Sequence, residues 1–279
     1  MGIRSRGSLL SFVGAVLAPL VSLTSGCKGQ PEPIDPLSMQ LSKQLRGEVY
    51  RRPGAAYALP YRLFVPQGYD AARSYPLVLY LHGAGVWGED NVRQLTTHVA
   101  ELTSTKRQSK DSAFVLVPQC PKGDEWVNRH DKPPFHNYEQ SKVPESLASV
   151  LVFEVLDWLK QTYSIDPRRI YVTGYSMGGS GTWDFVTRHP GVFAAAVPVT
   201  GVSDPRRAEA IATLPVWAFH GEKDPVSPAS NTREMVERLR SLGAPVRYTE
   251  LAGVGHDSDR AVYFDDAVYT WLFSQSKPE

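Results

Sequence analysis

Residues 170–179 read Ile170-Tyr171-Val172-Thr173-Gly174-Tyr175-Ser176-Met177-Gly178-Gly179. The β-branched and aromatic residues at the start predict a short buried strand, and the apolar residues after it, at helical spacing, predict a helix up to His189. Ser176 therefore stands at a strand-to-helix turn with glycine two residues away on either side, which is the context of a nucleophile elbow. Glycine is needed there because a Cβ would collide with a neighbouring element. A glycine-rich loop with an incidental serine is the alternative, but it requires neither the strand nor the helix.

The composition is that of an ordinary globular protein. The chain has 279 residues, of which 42% are hydrophobic and 21% are charged, and this length is ample for one large core. Its 30 lysine and arginine residues nearly balance its 29 aspartate and glutamate residues, and no basic run occurs. A nucleic-acid partner is therefore not expected.

Residues 1–26 have the three regions of an export signal. Arg4 and Arg6 precede an apolar run that is too short and too interrupted to predict a membrane-spanning helix. The run ends in Leu23-Thr24-Ser25-Gly26-Cys27, which resembles a bacterial lipoprotein box, although Thr24 stands where leucine is usual. The resemblance implies cleavage before Cys27, diacylation of that cysteine and anchoring in the cell envelope. Ordinary secretion, as a periplasmic or fully soluble protein, is the alternative.

The rest of the chain is predicted to contain a tether and one domain. Residues 27–45 begin with a polar, proline-containing stretch that favours a stiff tether, and residues 46–279 form the domain. Cys120 is the only cysteine in that domain, so no disulfide within it is expected. Because Cys120 follows an apolar strand, a buried small side chain explains it better than a nucleophile does.

Strand and helix patterns alternate along the domain. Apolar runs that predict strands occur at 62–65, 76–81, 113–117, 170–173, 194–199, 214–219 and 246–250. Amphipathic spacing predicts helices at 144–163, 231–242 and 261–273, besides the helix that follows Ser176. The sequence therefore predicts a single α/β domain with a mostly parallel central sheet and helices on both faces. Functional loops are expected at the carboxyl ends of the strands.

Three residues with complementary chemistry follow predicted strands: Ser176, Asp224 and His256. Their order, serine then acid then histidine, is the order expected of the α/β-hydrolase fold. A serine hydroxyl is a weak nucleophile that needs an adjacent base. His256 is predicted to be that base, and Asp224 to orient it.

Other residues compete for these roles. Glu222 is the serious rival acid because it lies two residues from Asp224, whereas Asp184, Asp204 and Asp257 are placed less well. Among the other histidines, His82 and His220 precede turns that they are expected to support, and His189 ends a helix. A metal site at His130, Asp131 and His136 is not favoured because their spacing matches no metal pattern. No metal or other cofactor is predicted.

Acyl transfer also requires N–H donors aimed at the developing oxyanion. The N–H of Met177 is the first candidate, and that of Ala84 is the second, because the strand ending at Leu81 should lie beside the elbow. The alternative is that His82-Gly83-Ala84-Gly85 is only a turn.

Several motifs together resemble one branch of a known superfamily. They are Leu81-His82-Gly83-Ala84-Gly85, Pro118-Gln119-Cys120-Pro121, Asp166-Pro167-x-Arg169-Ile170-Tyr171, Gly174-x-Ser176-Met177-Gly178-Gly179-x-Gly181-Thr182-Trp183 and His220-Gly221-x-x-Asp224. Over residues 57–275 they look like the secreted esterase and "predicted peptidase" branch of the α/β hydrolases, near the phospholipase/carboxylesterase, dienelactone-hydrolase-like and polyhydroxybutyrate-depolymerase-like families. The resemblance implies a single α/β-hydrolase domain and the hydrolysis of small-molecule or polymer carboxylic esters.

The sequence departs from the family after Gly85. The family often has Glu-Arg-Gly there, whereas this chain has Val86-Trp87-Gly88. Trp87 would replace charge with a flat apolar wall, and Trp87, Trp126 and Tyr175 are the candidates for lining a substrate pocket. Packing within loops is the alternative for each of these aromatic side chains.

The sequence therefore favours a serine esterase that works through an acyl-enzyme. A serine peptidase of the prolyl-oligopeptidase type is less favoured, because only about 30 residues separate Cys27 from the hydrolase region. A non-catalytic binding protein is disfavoured because Ser176, Asp224 and His256 are all retained. Acyl transfer to an acceptor other than water stays open, as do the acyl and alcohol groups, the oligomeric state and whether residues 123–143 form a lid.

Overall fold

The computed structural model describes residues 33–278. The predicted export signal, residues 1–26, and the predicted lipidation site, Cys27, lie outside the described residues. Between residues 33 and 278, no helix combines the length and the apolar character needed to cross a bilayer.

The described residues form an eight-stranded sheet in the order β1-β2-β4-β3-β5-β6-β7-β8. The pairs β1–β2 and β2–β4 are antiparallel, and all the others are parallel. The strands are β1 (Arg46–Tyr50), β2 (Leu59–Phe64), β3 (Tyr75–Leu81), β4 (Phe114–Pro118), β5 (Ile165–Tyr175), β6 (Ala195–Val199), β7 (Val216–Gly221) and β8 (Val246–Leu251). The sequence-based prediction of one mostly parallel α/β sheet is thus confirmed.

Helices cover both faces of this sheet. They are α1 (Pro36–Leu41), α2 (Thr97–Leu102), α3 (Thr105–Lys110), α4 (Leu147–Thr162), α5 (Met177–Arg188), α6 (Ser230–Ser241), α7 (Asp259–Tyr263) and α8 (Asp266–Phe273). Alternate residues of β3 serve different cores, because successive side chains of a strand point to opposite faces. Leu79 belongs to a buried cluster that includes residues of α4, α5 and α6, whereas Tyr80 belongs to a second cluster that includes residues of α1, α2, α7 and α8.

The structure differs from the sequence-based prediction near the start of the domain. Residues 36–45, predicted as part of the tether, are folded onto the sheet, with Leu41 and Leu45 buried. The Ser38 hydroxyl donates to the Leu95 carbonyl, 2.8 Å away. The signal for this helix was present, since the Asp35 carboxylate caps the Leu37 N–H and Pro36 occupies the first helical turn.

Strand β1 and helices α2 and α3 were missed, and the last helix was predicted as one element. Strand β1 was not predicted because all but one of its residues are exposed, so no apolar run marks it. The final helix, predicted as continuous over 261–273, is divided into α7 and α8. The Asp265 carboxylate accepts the Ala267 N–H and begins α8 there, which explains the division.

Candidate active site

Ser176 occupies a strained turn between β5 and α5. Its backbone has φ 58° and ψ −114°, in a region that residues with a Cβ rarely adopt. The glycine on each side is needed for close backbone approach: a Cβ on Gly178 would lie 1.9 Å from the Leu81 carbonyl oxygen, and one on Gly174 would lie 2.4 Å from the Gly178 carbonyl oxygen. The turn therefore has the backbone geometry that the sequence predicted for an elbow.

A chain of hydrogen bonds begins at Ser176. Its Oγ lies 2.9 Å from His256 Nε2, and His256 Nδ1 lies 2.8 Å from Asp224 Oδ2. The residues come together because β5, β7 and β8 are parallel, so their carboxyl ends share one edge of the sheet. A carboxylate only accepts hydrogen bonds, so Nδ1 carries the proton and Nε2 is left to accept the serine hydroxyl. This arrangement can remove a proton from Ser176.

The Asp224 carboxylate is buried but has several donors. Its Oδ1 accepts the N–H groups of Val226 and Ser227, and its Oδ2 also lies 3.4 Å from His220 Nε2. Burial raises the pKa of this carboxyl, but hydrogen bonds from the two imidazoles and from the Ser227 N–H outweigh it and hold the pKa well below its usual value. Asp224 is therefore ionised near neutral pH, as an acid that orients a histidine must be.

The rival acids are engaged elsewhere. The Glu222 carboxylate is exposed and accepts the N–H of Gly253, at 2.7 Å. Asp184 pairs with Arg188, and Asp204 pairs with Arg206. None of these three carboxylates contacts His256, whereas Asp224 does.

The two predicted oxyanion donors lie beside the serine. Met177 is the first residue of α5, and Ala84 is the first residue of a 3₁₀ turn over Ala84–Val86. The first N–H groups of a helix have no acceptor within it. Ala84 and Met177 line the same cavity as Ser176 and His256, so both residues are close to the site.

The cavity at Ser176 encloses about 70 Å³ and has a mostly apolar wall. Trp87, one of the candidates from the sequence, lines it. The irregular segment before α4 supplies another wall that the sequence did not single out, formed by Glu125, Val127, Arg129 and Phe135. The signal for that wall was weak, because Val127 and Phe135 are only two of several apolar or aromatic residues in this stretch.

Trp126 and Tyr175 do not line this cavity, in contrast to the prediction. Trp126 is fully buried, and its indole N–H donates to the His82 carbonyl at 2.9 Å. Its neighbours Glu125 and Val127 face the cavity, so Trp126 points into the core. The Tyr175 hydroxyl donates to the His256 carbonyl at 3.0 Å, which places Tyr175 behind the imidazole as a support for the loop.

His130, Asp131 and His136 do not form an arrangement suited to a metal. The Asp131 carboxylate is bound through both oxygens by the Arg129 guanidinium, at 2.7 and 2.9 Å. Across residues 33–278, no three histidine, cysteine, aspartate or glutamate side chains are grouped in a way that could hold a metal ion.

The chain was compared with known families once this geometry was established. The model of the family described as Esterase matches residues 58–266. The chain belongs to this esterase family. The resemblance inferred from the motifs is thereby confirmed at the level of the family.

Individual relatives of this chain match it over parts of their length. The bifunctional acetylxylan esterase/xylanase XynS20E of Neocallimastix patriciarum is 27% identical over 56% of this chain, and an uncharacterized secreted protein of Arthroderma benhamiae is 23% identical over 67%. The chain spans only 20% and 22% of these two proteins. A solved structure described as a thermostable esterase is 36% identical, with a TM-score of 0.78, over 84% of this chain and 64% of that one.

Proposed function

We propose that this protein hydrolyses carboxylic esters through a covalent acyl-enzyme on Ser176. The observation that carries the proposal is the continuous hydrogen-bond path from Ser176 Oγ through both nitrogens of His256 to Asp224, with links of 2.9 and 2.8 Å. Membership of the esterase family supports the choice of an ester as substrate.

The acylation step follows from the donor and acceptor roles at the site. As Ser176 Oγ attacks the ester carbonyl carbon, its proton passes to His256 Nε2. The resulting oxyanion is stabilised by the N–H groups of Ala84 and Met177. His256 then returns the proton to the departing alkoxide, which leaves as an alcohol, and the acyl group stays on Ser176.

Deacylation repeats the same steps with water in place of the alcohol. The water oxygen attacks the acyl carbon while His256 Nε2 takes a proton from the water. That proton passes to Ser176 Oγ when the carboxylic acid leaves. Asp224 stabilises the imidazolium in both halves of the reaction, because its carboxylate stays ionised beside His256 Nδ1.

Substitution of the triad residues tests the proposal. Ser176→Ala should abolish hydrolysis of p-nitrophenyl acetate, because no nucleophile remains. Asp224→Asn should lower kcat by about 10³–10⁴-fold, because the amide favours the wrong histidine tautomer. Steady-state kinetics on folded variants would measure both effects.

Glu222→Gln is the matched control, since Glu222 is the nearby acid whose carboxylate bonds to Gly253 instead of His256. It should leave kcat close to that of the unmodified enzyme. An active Ser176→Ala variant would contradict the proposal, and so would a faster cleavage of aminoacyl p-nitroanilides than of esters.

We also propose that the acyl group is short. The cavity at Ser176 encloses about 70 Å³, whereas pockets for drug-sized ligands usually offer roughly 300–1,000 Å³. The Trp87 side chain forms part of its wall. The loop that carries Trp87 is tied to the end of β4, since the Gly88 N–H donates to the Cys120 carbonyl at 3.1 Å. This wall cannot retreat easily, so it supports selection for small acyl groups.

A series of p-nitrophenyl esters tests this selectivity. The value of kcat/KM should fall by at least about tenfold from acetate to octanoate, because methylene groups that do not fit forfeit their binding energy. Trp87→Ala should reduce the ratio of kcat/KM for acetate to kcat/KM for octanoate. Trp158→Ala, at an exposed site on α4, should leave this ratio unchanged. A preference for octanoate in the unmodified enzyme would contradict the assignment.

Export and lipid anchoring at Cys27 complete the proposal. Support comes from the charged, apolar and lipobox-like regions of residues 1–27, and the related secreted protein of Arthroderma benhamiae is consistent with export. Expressed in a bacterium, the unmodified chain should fractionate with membranes, and Cys27→Ser should be found in the soluble fraction. Equal fractionation of the two chains would contradict lipidation.

A further inference from the structure

His82 is a buried histidine that the proposed mechanism does not use. It follows β3 directly and is fully inaccessible to solvent. Its Nδ1 lies 2.7 Å from the Gly83 carbonyl oxygen, and its Nε2 lies 2.9 Å from the backbone nitrogen of Cys120. Both ring nitrogens are therefore engaged by the main chain.

These two partners fix the state of the imidazole. A carbonyl oxygen only accepts, so Nδ1 must carry a hydrogen; the Cys120 N–H only donates, so Nε2 must offer its lone pair. A single neutral tautomer satisfies both. Burial lowers the pKa of His82 to about 4, so this neutral form persists near neutral pH.

The contact to Gly83 has a consequence at the next residue. The Gly83 carbonyl and the Ala84 N–H belong to one planar trans peptide unit, so they point in opposite directions. A hydrogen bond that holds the carbonyl towards His82 therefore holds the N–H away from it. Ala84 lines the cavity that also contains Ser176.

We infer that His82 is a positioning residue: its Nδ1–H holds the Gly83 carbonyl and thereby aims the Ala84 N–H at the oxyanion. The inference rests on the proposed function and adds a role for a side chain that does not touch the substrate.

The imidazole is itself tied to rigid parts of the sheet. Its Nε2 is bound at the end of β4 through Cys120. The carbonyl of His82 accepts the Trp126 indole N–H at 2.9 Å, and the two rings meet edge to face with centroids 5.1 Å apart. Two strands and a buried tryptophan therefore fix the direction of the Ala84 N–H, in addition to the loop itself.

Replacing His82 by asparagine or by glutamine distinguishes this positioning role from simple packing. The amide of asparagine reaches the place of Nδ1 and can still donate to the Gly83 carbonyl, but it leaves the Cys120 N–H without its acceptor. The amide of glutamine reaches the place of Nε2 and can accept from Cys120, but the donor to Gly83 is lost. Each variant removes one of the two hydrogen bonds and retains the other.

His82→Gln should lower kcat for p-nitrophenyl acetate by about 10–100-fold with little change in KM, because a misdirected oxyanion donor weakens only the transition state. His82→Asn should keep most of the kcat of the unmodified enzyme. The inhibition constant of a short trifluoromethyl ketone, whose adduct with Ser176 carries an oxyanion, should rise in His82→Gln in proportion to the fall in kcat/KM.

Equal losses of kcat in the two variants, or a loss in His82→Gln that lies in KM, would overturn the inference. Thermal unfolding of both variants shows whether the comparison is between folded proteins. If either fails to fold, ¹⁵N NMR of the unmodified protein at neutral pH still decides, because an imidazolium or an Nε2–H tautomer at His82 would overturn the inference. Inactivity of the unmodified enzyme, or activity of Ser176→Ala, would instead count against the proposed function.

Discussion

Close backbone approach at the carboxyl edge of the sheet is the constraint on which this site depends. A Cβ on Gly178 would lie 1.9 Å from the Leu81 carbonyl oxygen, so the first turn of α5 can rest against the end of β3 only if that residue is glycine. At the other side of the site, a Cβ on Gly221 would lie 2.0 Å from the Gly255 carbonyl oxygen. These two contacts bring the serine turn and the histidine loop within hydrogen-bond distance of each other.

The charge states of Asp224 and His82 follow from the same close packing. Moving a carboxylate such as Asp224 out of water is costly unless donors replace the lost hydration. Here backbone N–H groups and two imidazoles supply the donors, so the buried group stays charged. His82 shows the converse case: no carboxylate contacts it, and burial keeps it neutral. The half-buried His256 thus lies beside an ionised carboxylate, whereas the fully buried His82 is held neutral by the main chain.

The juxtaposition of Ser176, Asp224 and His256 could be predicted from the sequence because each follows a strand, and parallel strands end at one edge. The lining of the cavity could not. Whether Trp126 or its neighbours face the cavity is decided by packing against His82 and Phe185, and no local pattern encodes this in an irregular segment. Residues 36–45 are a different case, because a local signal is present: proline is typical of a tether, but Asp35 and Pro36 together also begin a helix.

The most direct test of the central claim is to trap the covalent intermediate. The enzyme would be mixed with p-nitrophenyl acetate, quenched in acid during turnover and analysed by peptide mass spectrometry. The mechanism predicts a single acetyl group on the peptide that contains Ser176, located on that serine. Turnover with the acetyl group on a different residue, and none on Ser176 at any quench time, would contradict it.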